Sequence, residues 1–231
     1  MQFDKKIIPG KILKRYKRFL ADIELKDGEV ITAHTANTGS MKTCWEPGWK
    51  VLVSHHDDPK RKLKYSLEMT NNGDTWIGVN TSLPNKLAKE AIENGTIKEL
   101  QGFENIRPEY KVGKSRIDLL LSKGDYKCFV EVKNVTMHGG DDLAVFPDGV
   151  TERGQKHLKE LITLKKEGHR AVMLFIVQRE DVNRFAPAKE IDPIYSDLLK
   201  QAFDQGVEIL PYQCELNEKG VEVKRLLPFE L

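Results

Sequence analysis

The sequence predicts an α+β chain of two domains, an N-terminal β-barrel followed by an α/β sandwich on a mixed central sheet. Three observations carry that expectation. Up to about residue 80 the chain is a series of short β-rich segments separated by turn pairs. From about residue 81, helix-period segments alternate with apolar strands. Within that second part "RAVMLFIVQ" is an unbroken apolar run, as a strand buried on both faces requires.

The barrel segments, in order, are "GKILKRYKRFLADIEL", "EVITAHTA", "KVLVSHHD", "KLKYSLEMT" and "WIGVN". Between them lie Asp27-Gly28, Thr38-Gly39, Pro47-Gly48, Asp57-Asp58-Pro59 and Asn72-Gly73, residues that supply left-handed or pre-set turn conformations. Five strands in residues 1–80 suit an OB-like barrel, a fold that commonly holds single strands of nucleic acid by charge and base stacking. The charge distribution agrees. The net charge is only +2, yet residues 1–80 hold 14 Lys+Arg against 10 Asp+Glu, so the remainder is net acidic. The basic residues cluster in "KILKRYKR" (Lys11 to Arg18) and "KRKLK" (Lys60 to Lys64), interleaved with Tyr16, Phe19 and Tyr65. Arg15, Lys17, Arg18 and Lys42 are the nucleic-acid-backbone candidates here. "HHDD" (His55 to Asp58) precedes a proline and reads as a solvated turn rather than a metal site. Trp45 and Trp49 either stack on bases or close the barrel.

The second domain, residues 81–231, opens with the helical "NKLAKEAIENG", whose Leu87, Ala88, Ala91 and Ile92 share a face and whose Gly95 is a stop. Strands "RPEYKV", "SRIDLLLS" and "KCFVEVKNVT" follow, then a long loop with Gly139, Gly140, Pro147 and Gly149. Thr151 caps the helix "ERGQKHLKELITLKKEG", and Asp192 and Pro193 begin "DPIYSDLLKQAFDQG". "VEILPYQCEL" and "VEVKRLLPF" close the sheet. The order α-β-β-β-α-β-α-β describes a three-layer sandwich.

The chemistry lies in "SRIDLLLSKGDYKCFVEVKNVT". Asp118, Glu131 and Lys133 interrupt apolar strands, where an unpaired charge is costly. Glu131 and Lys133 are two apart and share a face. Antiparallel pairing brings Asp118 to them. Two carboxylates suit Mg2+ or Mn2+, and a neighbouring lysine suits the attacking water or the developing phosphorane charge. This is the D-x(n)-E-x-K pattern of PD-(D/E)xK nucleases, here in the strand context that the pattern requires. The competing reading is a salt-bridged strand pair satisfied by Arg116 and Lys133. Glu109 is a candidate third metal ligand. Arg153 and His157, four apart on one helix face, are candidate phosphate or base contacts, and Arg116 is another nucleic-acid candidate.

Hydrophobic content of 39% and charged content of 31% are those of a globular protein, and no apolar run approaches the roughly 18 residues of a membrane span. No membrane association and a cytoplasmic location are the default expectations. Cys44, Cys128 and Cys214 form no metal or redox motif.

The stretches "TAHTANTGSM", "KRKLKYSLE", "VNTSLPNKLAKEAI", "SRIDLLL", "VEVKNVT", "FPDGVTERGQKHLKEL", "RAVMLFIVQRED" and "GVEILPY" together resemble the sugar fermentation stimulation protein A family over nearly the whole chain. The resemblance implies an OB-like domain, a PD-(D/E)xK (restriction-endonuclease-like) domain, DNA binding with little sequence preference and a link to sugar (maltose) metabolism genes. It places the family's triad on Asp118, Glu131 and Lys133 and a further glutamate on Glu109. Gly149 stands where the family pattern has alanine, and "MHGGDDLAV" departs from it. Two functions follow as expectations. One is a Mg2+- or Mn2+-dependent DNA nuclease, with single-stranded or branched DNA among its substrates. The other is a non-catalytic DNA-binding regulator. A sugar-binding role has only the family name behind it. The residues leave the oligomeric state, a dimer included, open.

Overall fold

A computed structural model describes residues 1–112 and 115–231. The first domain holds β1 (Ile7–Tyr16), β2 (Leu20–Leu25), β3 (Val30–His34), β4 (Lys50–His55) and β5 (Tyr65–Asn71). They close in the order β1-β2-β3-β5-β4 back to β1, with β3 and β5 parallel and the other pairs antiparallel. This is a closed five-stranded OB-like barrel. Ile12, Ala21, Ile23, Ala33, Val51, Val53 and Leu67 fill it.

The five strands are not the five segments expected. The long first segment is a hairpin, turned at Lys17 (φ 48) and Arg18 (φ 66), left-handed positions occupied by neither glycine nor asparagine. "WIGVN" supplies only the short β6 (Trp76–Gly78), which adds to β5 outside the ring. The "VLV" run of Val51 to Val53 is apolar throughout because β4 is covered on both faces. Val51 and Val53 point into the barrel, while Leu52 packs with the second domain.

The second domain begins with α1 (Pro84–Glu93), which turns out of its helix through Asn94 and Gly95 (φ 83). Then come β7 (Asn105–Val112), β8 (Ser115–Lys123), β9 (Tyr126–Val135), β10 (Met137–His138), β11 (Leu143–Phe146), α2 (Glu152–Lys166), β12 (Arg170–Val177), β13 (Arg184–Pro187), α3 (Pro193–Asp204), β14 (Glu208–Asn217) and β15 (Gly220–Leu226). The main sheet runs β15-β14-β12-β9-β8-β7; β9, β12 and β14 are mutually parallel and the outer pairs antiparallel. Alternation in β12 sorts the layers. Val172, Leu174 and Ile176 pack with Leu87 and Ile92 of α1, while Ala171, Met173 and Phe175 pack with Leu158 of α2 and Leu199 of α3.

The stretch expected as a long loop contains β10 and β11, which join β13 in a small second sheet. Strands of two and four residues are too short for a periodic signal, and the β11–β13 partners lie some 40 residues apart.

The two domains share a polar seam. Gly78 N–H donates to Gln178 O at 2.9 Å, and Asn72 Nδ2 donates to Asp181 Oδ2 at 3.0 Å. Arg179, 2% exposed, donates to both oxygens of Asp181 (2.6 and 2.7 Å) and to Thr136 O at 2.7 Å. Among the described residues no helix is long and apolar enough to cross a membrane.

Candidate metal and nucleic-acid site

The β8–β9 ladder runs from Lys123↔Tyr126 up to Leu119↔Val130. At the next residue a side chain takes over from the backbone. Asp118 Oδ2 accepts the Val132 N–H at 2.8 Å, and Oδ1 accepts from Asn85 Nδ2 of α1 at 2.8 Å. Opposite, β7 is kinked at Glu109 (φ 53), between the Pro108↔Leu119 and Tyr110↔Ile117 pairs. The strands therefore part where the charged residues sit.

On β9, Phe129, Glu131, Lys133 and Val135 alternate toward the α2 side, and Phe129 and Val135 join its core. Glu131 is 1% exposed. Its Oε1 accepts from Lys133 Nζ at 2.6 Å and is also contacted by His157 Nδ1 from α2; Lys133 Nζ lies 3.1 Å from that nitrogen. The two acids are driven apart. Burial pushes Asp118 up, the charge of Glu131 adds to this, and the two N–H donors offset only part of it. Burial also acts upward on Glu131, but the His157 ring and the Lys133 ammonium outweigh it and hold that carboxyl below its ordinary range. Divergent environments for neighbouring carboxyls are what assigned roles require. Glu131 stays ionised, whereas among the described residues Asp118 forms no ion pair and feels the Lys133 charge only as its weakest influence.

Among the described residues Glu131 Oε2 is buried without a hydrogen-bond partner, and so is the Tyr195 hydroxyl, which burial and then the charges of Glu131 and Asp192 push well above the ordinary tyrosine range. An orphaned carboxylate oxygen beside a second carboxylate is a hard oxygen donor set, which fits Mg2+, Mn2+ or Ca2+. The set stops at two acids. Among the described residues no group of three or more His, Cys, Asp and Glu side chains converges as a metal cage. Glu109 is exposed, with Arg116 Nη1 3.7 Å from its carboxylate.

The nucleic-acid candidates divide. Lys17, Arg18, Lys42, Arg116 and Arg153 are exposed. Arg15 is half-buried, and its Nη2 donates to the carbonyls of Arg18 (2.5 Å), Asn37 (2.9 Å) and Gly39 (3.0 Å), so it fastens the hairpin to the neighbouring loop. Burial, then Arg18, lowers its pKa. His157 is buried on Glu131 instead of lying half-exposed on a helix face. His56 of "HHDD" is also buried, between Ser66 and Arg61. Trp45 and Trp49 pack against the barrel core.

Arg18 lines a cavity of about 670 Å3 between the domains, together with Ser40, Asn134 (adjacent to Lys133) and Val150. Asp148 spans it by accepting the Ser40 N–H at 2.9 Å, an approach that a side chain on Gly39 would block. Sequence reasoning missed Asn85. Pro84 marks a first helical position and so puts residue 85 in the first turn, but only the tertiary contact to Asp118 shows that it faces the sheet.

A family model for the sugar fermentation stimulation protein RE domain matches residues 82–220, and one for the SfsA N-terminal OB domain matches residues 13–79. Sugar fermentation stimulation protein homologs from Geotalea uraniireducens and Citrifermentans bemidjiense are each 52% identical, over 96% and 99% of both chains respectively. The structure of Pyrococcus furiosus SfsA in complex with Ca2+ superposes with a TM-score of 0.90 at 30% identity, covering 100% of this chain and 98% of that one.

Proposed function

We propose that this chain, which belongs to the sugar fermentation stimulation protein family, binds DNA with little sequence preference and hydrolyses its phosphodiesters with Mg2+ or Mn2+ held by Asp118 and Glu131. The observation that carries the reading is the fork between β8 and β9, where two carboxyls of divergent acidity meet one lysine on a buried sheet end. Carboxylates repel phosphate unless a cation intervenes, so such a pair beside DNA makes sense with a metal. The Ca2+ complex of the P. furiosus relative supports a hard divalent ion.

The bound ion would polarise the phosphodiester and offset its developing charge. The chain's residues do the rest. Glu131 remains ionised and accepts from Lys133 Nζ, which anchors the ammonium beside the acids. From there Lys133 donates to the attacking water or to a phosphate oxygen. His157 fixes the Glu131 carboxylate from α2. Arg18 at the interdomain cleft and the other exposed cations Lys17, Lys42, Arg116 and Arg153 contact the nucleic-acid backbone.

A non-catalytic DNA-binding regulator is the second reading. It is favoured by the closed Lys133–Glu131 contact and by the two-acid donor set. Incubation with single-stranded, duplex and branched DNA in Mg2+ or Mn2+, beside Lys133→Ala, separates the two. Cleavage by the wild type that drops about 100-fold or more in the variant supports catalysis. No cleavage of any substrate, or equal cleavage by both proteins, leaves only the binding role.

A further inference from the structure

Helix α1 has no side chain capping its start; the residue before it, Leu83, makes no cap bond. What fixes that start is a turn tied to the barrel. Glu68 of β5 is buried (6% exposed); its Oε1 accepts from Ser54 Oγ at 2.6 Å and its Oε2 from Asn80 Nδ2 at 2.7 Å. Asn80 Oδ1 in turn accepts from Ser82 N–H (3.0 Å) and Ser82 Oγ (2.7 Å), and Asn80 O accepts from Leu83 N–H at 3.2 Å. Pro84, buried, then sets the first helical φ, and Asn85 follows with its amide 2.8 Å from Asp118 Oδ1. The path from the barrel to the acid is therefore Glu68, Asn80, the 82–84 turn, Asn85 and Asp118.

Asp118 is held by two neutral donors from different elements, Val132 of β9 and Asn85 of α1. Val132 is next to Glu131, so that bond sets Asp118 relative to its partner acid. The Asn85 bond sets the tilt of the carboxylate about it. We infer that Asn85 is a positioning residue that orients Asp118 for a divalent cation, and that Glu68 of the barrel acts on the same site through the α1 start. The inference rests on the metal reading of Asp118 and Glu131. It makes the barrel part of the metal site as well as a platform for nucleic acid. Groups that orient ligands in this way typically contribute 10–100-fold to metal affinity.

The test is calorimetric titration of the full chain with Ca2+, beside oligonucleotide binding in EDTA and a urea unfolding curve. Asn85→Leu removes the amide at similar volume, and Asn85→Ser is a second variant suited to a helix first turn. Either weakens Ca2+ binding about 10–100-fold, with metal-free DNA affinity unchanged. Glu68→Leu weakens Ca2+ binding in the same direction. Glu68→Gln restores it, because its amide donates to Ser54 Oγ while its carbonyl still accepts from Asn80. A purely structural role lowers the unfolding midpoint and leaves Ca2+ affinity in place, which overturns the inference, as does equal Ca2+ affinity in Glu68→Leu and Glu68→Gln for the barrel's part. A wild-type chain that takes up no Ca2+ overturns the metal reading itself and this inference with it.

Discussion

At the hairpin tip of the barrel, Lys17 and Arg18 stand in solvent, and Arg18 Nε donates to Thr38 O at 2.9 Å. Around Glu131 the opposite holds: carboxylate, ammonium and imidazole are withdrawn from water and pressed against one another. Both regions are charged, and both were picked out by charge in the sequence. The difference is dielectric. Exposed charges interact weakly with each other and remain free for a polyanion, whereas buried ones are strongly coupled and fixed before any ligand arrives. The surface thus suits sequence-tolerant affinity, and the interior suits chemistry at one phosphodiester.

The largest effect that contrast predicts is on stability. Glu131→Leu strands the Lys133 ammonium and the His157 ring without their shared acceptor, and removing one partner of a buried pair costs about 3–5 kcal/mol. Lys42→Ala, an exposed charge, changes stability by about 0.5 kcal/mol or less. Urea unfolding at pH 7 reads both. Equal losses in the two variants erase the distinction between the regions.

An intermediate effect comes from the residue that holds α2, and with it His157, in place. Asp192 caps α3 by accepting from Tyr195 N–H (2.9 Å), and also accepts from Thr151 N–H (2.9 Å) and Gln155 Nε2 (3.0 Å). Burial acts upward on its pKa, but these donors outweigh it and hold the carboxyl below its ordinary value. A depressed folded value means that the ionised carboxylate stabilises the fold above the unfolded-chain pKa of about 3.9, and that this contribution fades as pH falls through the folded value. Asp192→Asn turns one acceptor into a donor facing the Thr151 N–H, for a loss of about 1–3 kcal/mol at pH 7. Unfolding curves from pH 7 down to 3 check the sign: the gap between wild type and variant narrows on acidification. A gap that widens on acidification contradicts the assignment.

Much of this architecture was legible in the chain. The barrel showed in its turn pairs, the layers in the apolar periods, and the candidate site in two acids and a lysine set in apolar strands. What escaped has identifiable causes. The β1–β2 turn uses Lys17 and Arg18 in left-handed conformations, and Arg15 braces it through three carbonyls, so a turn without glycine looked like one long strand. The same bonds make Arg15 a brace, although composition groups it with the nucleic-acid candidates. His56 looked solvated because its partners, Arg61 and Ser66, lie beyond the intervening turn. Asn85 carried no chemical signal of its own, since an asparagine in a helix first turn is ordinary. Its meaning is tertiary, set by where β8 lies.

The smallest expected effect falls at the exposed tip, and it separates charge from structure. Arg18 offers a guanidinium to solvent at the mouth of the interdomain cleft. A contact to one phosphate releases a counterion, so the logarithm of affinity falls with the logarithm of salt, by about 0.7 per phosphate for single strands. Arg18→Ala therefore lowers the magnitude of that slope by about one contact and weakens binding by a similar factor for every oligonucleotide sequence. Its unfolding midpoint stays near that of the wild type. Fluorescence anisotropy with two unrelated oligonucleotides in EDTA, from about 50 to 200 mM salt, measures this. A variant with an unchanged slope removes Arg18 from the interface, and a loss confined to one sequence assigns it to base reading rather than to the backbone. The unchanged slope would move the nucleic-acid path away from the hairpin tip and toward Arg116 and Arg153, the exposed arginines of β8 and of the first turn of α2.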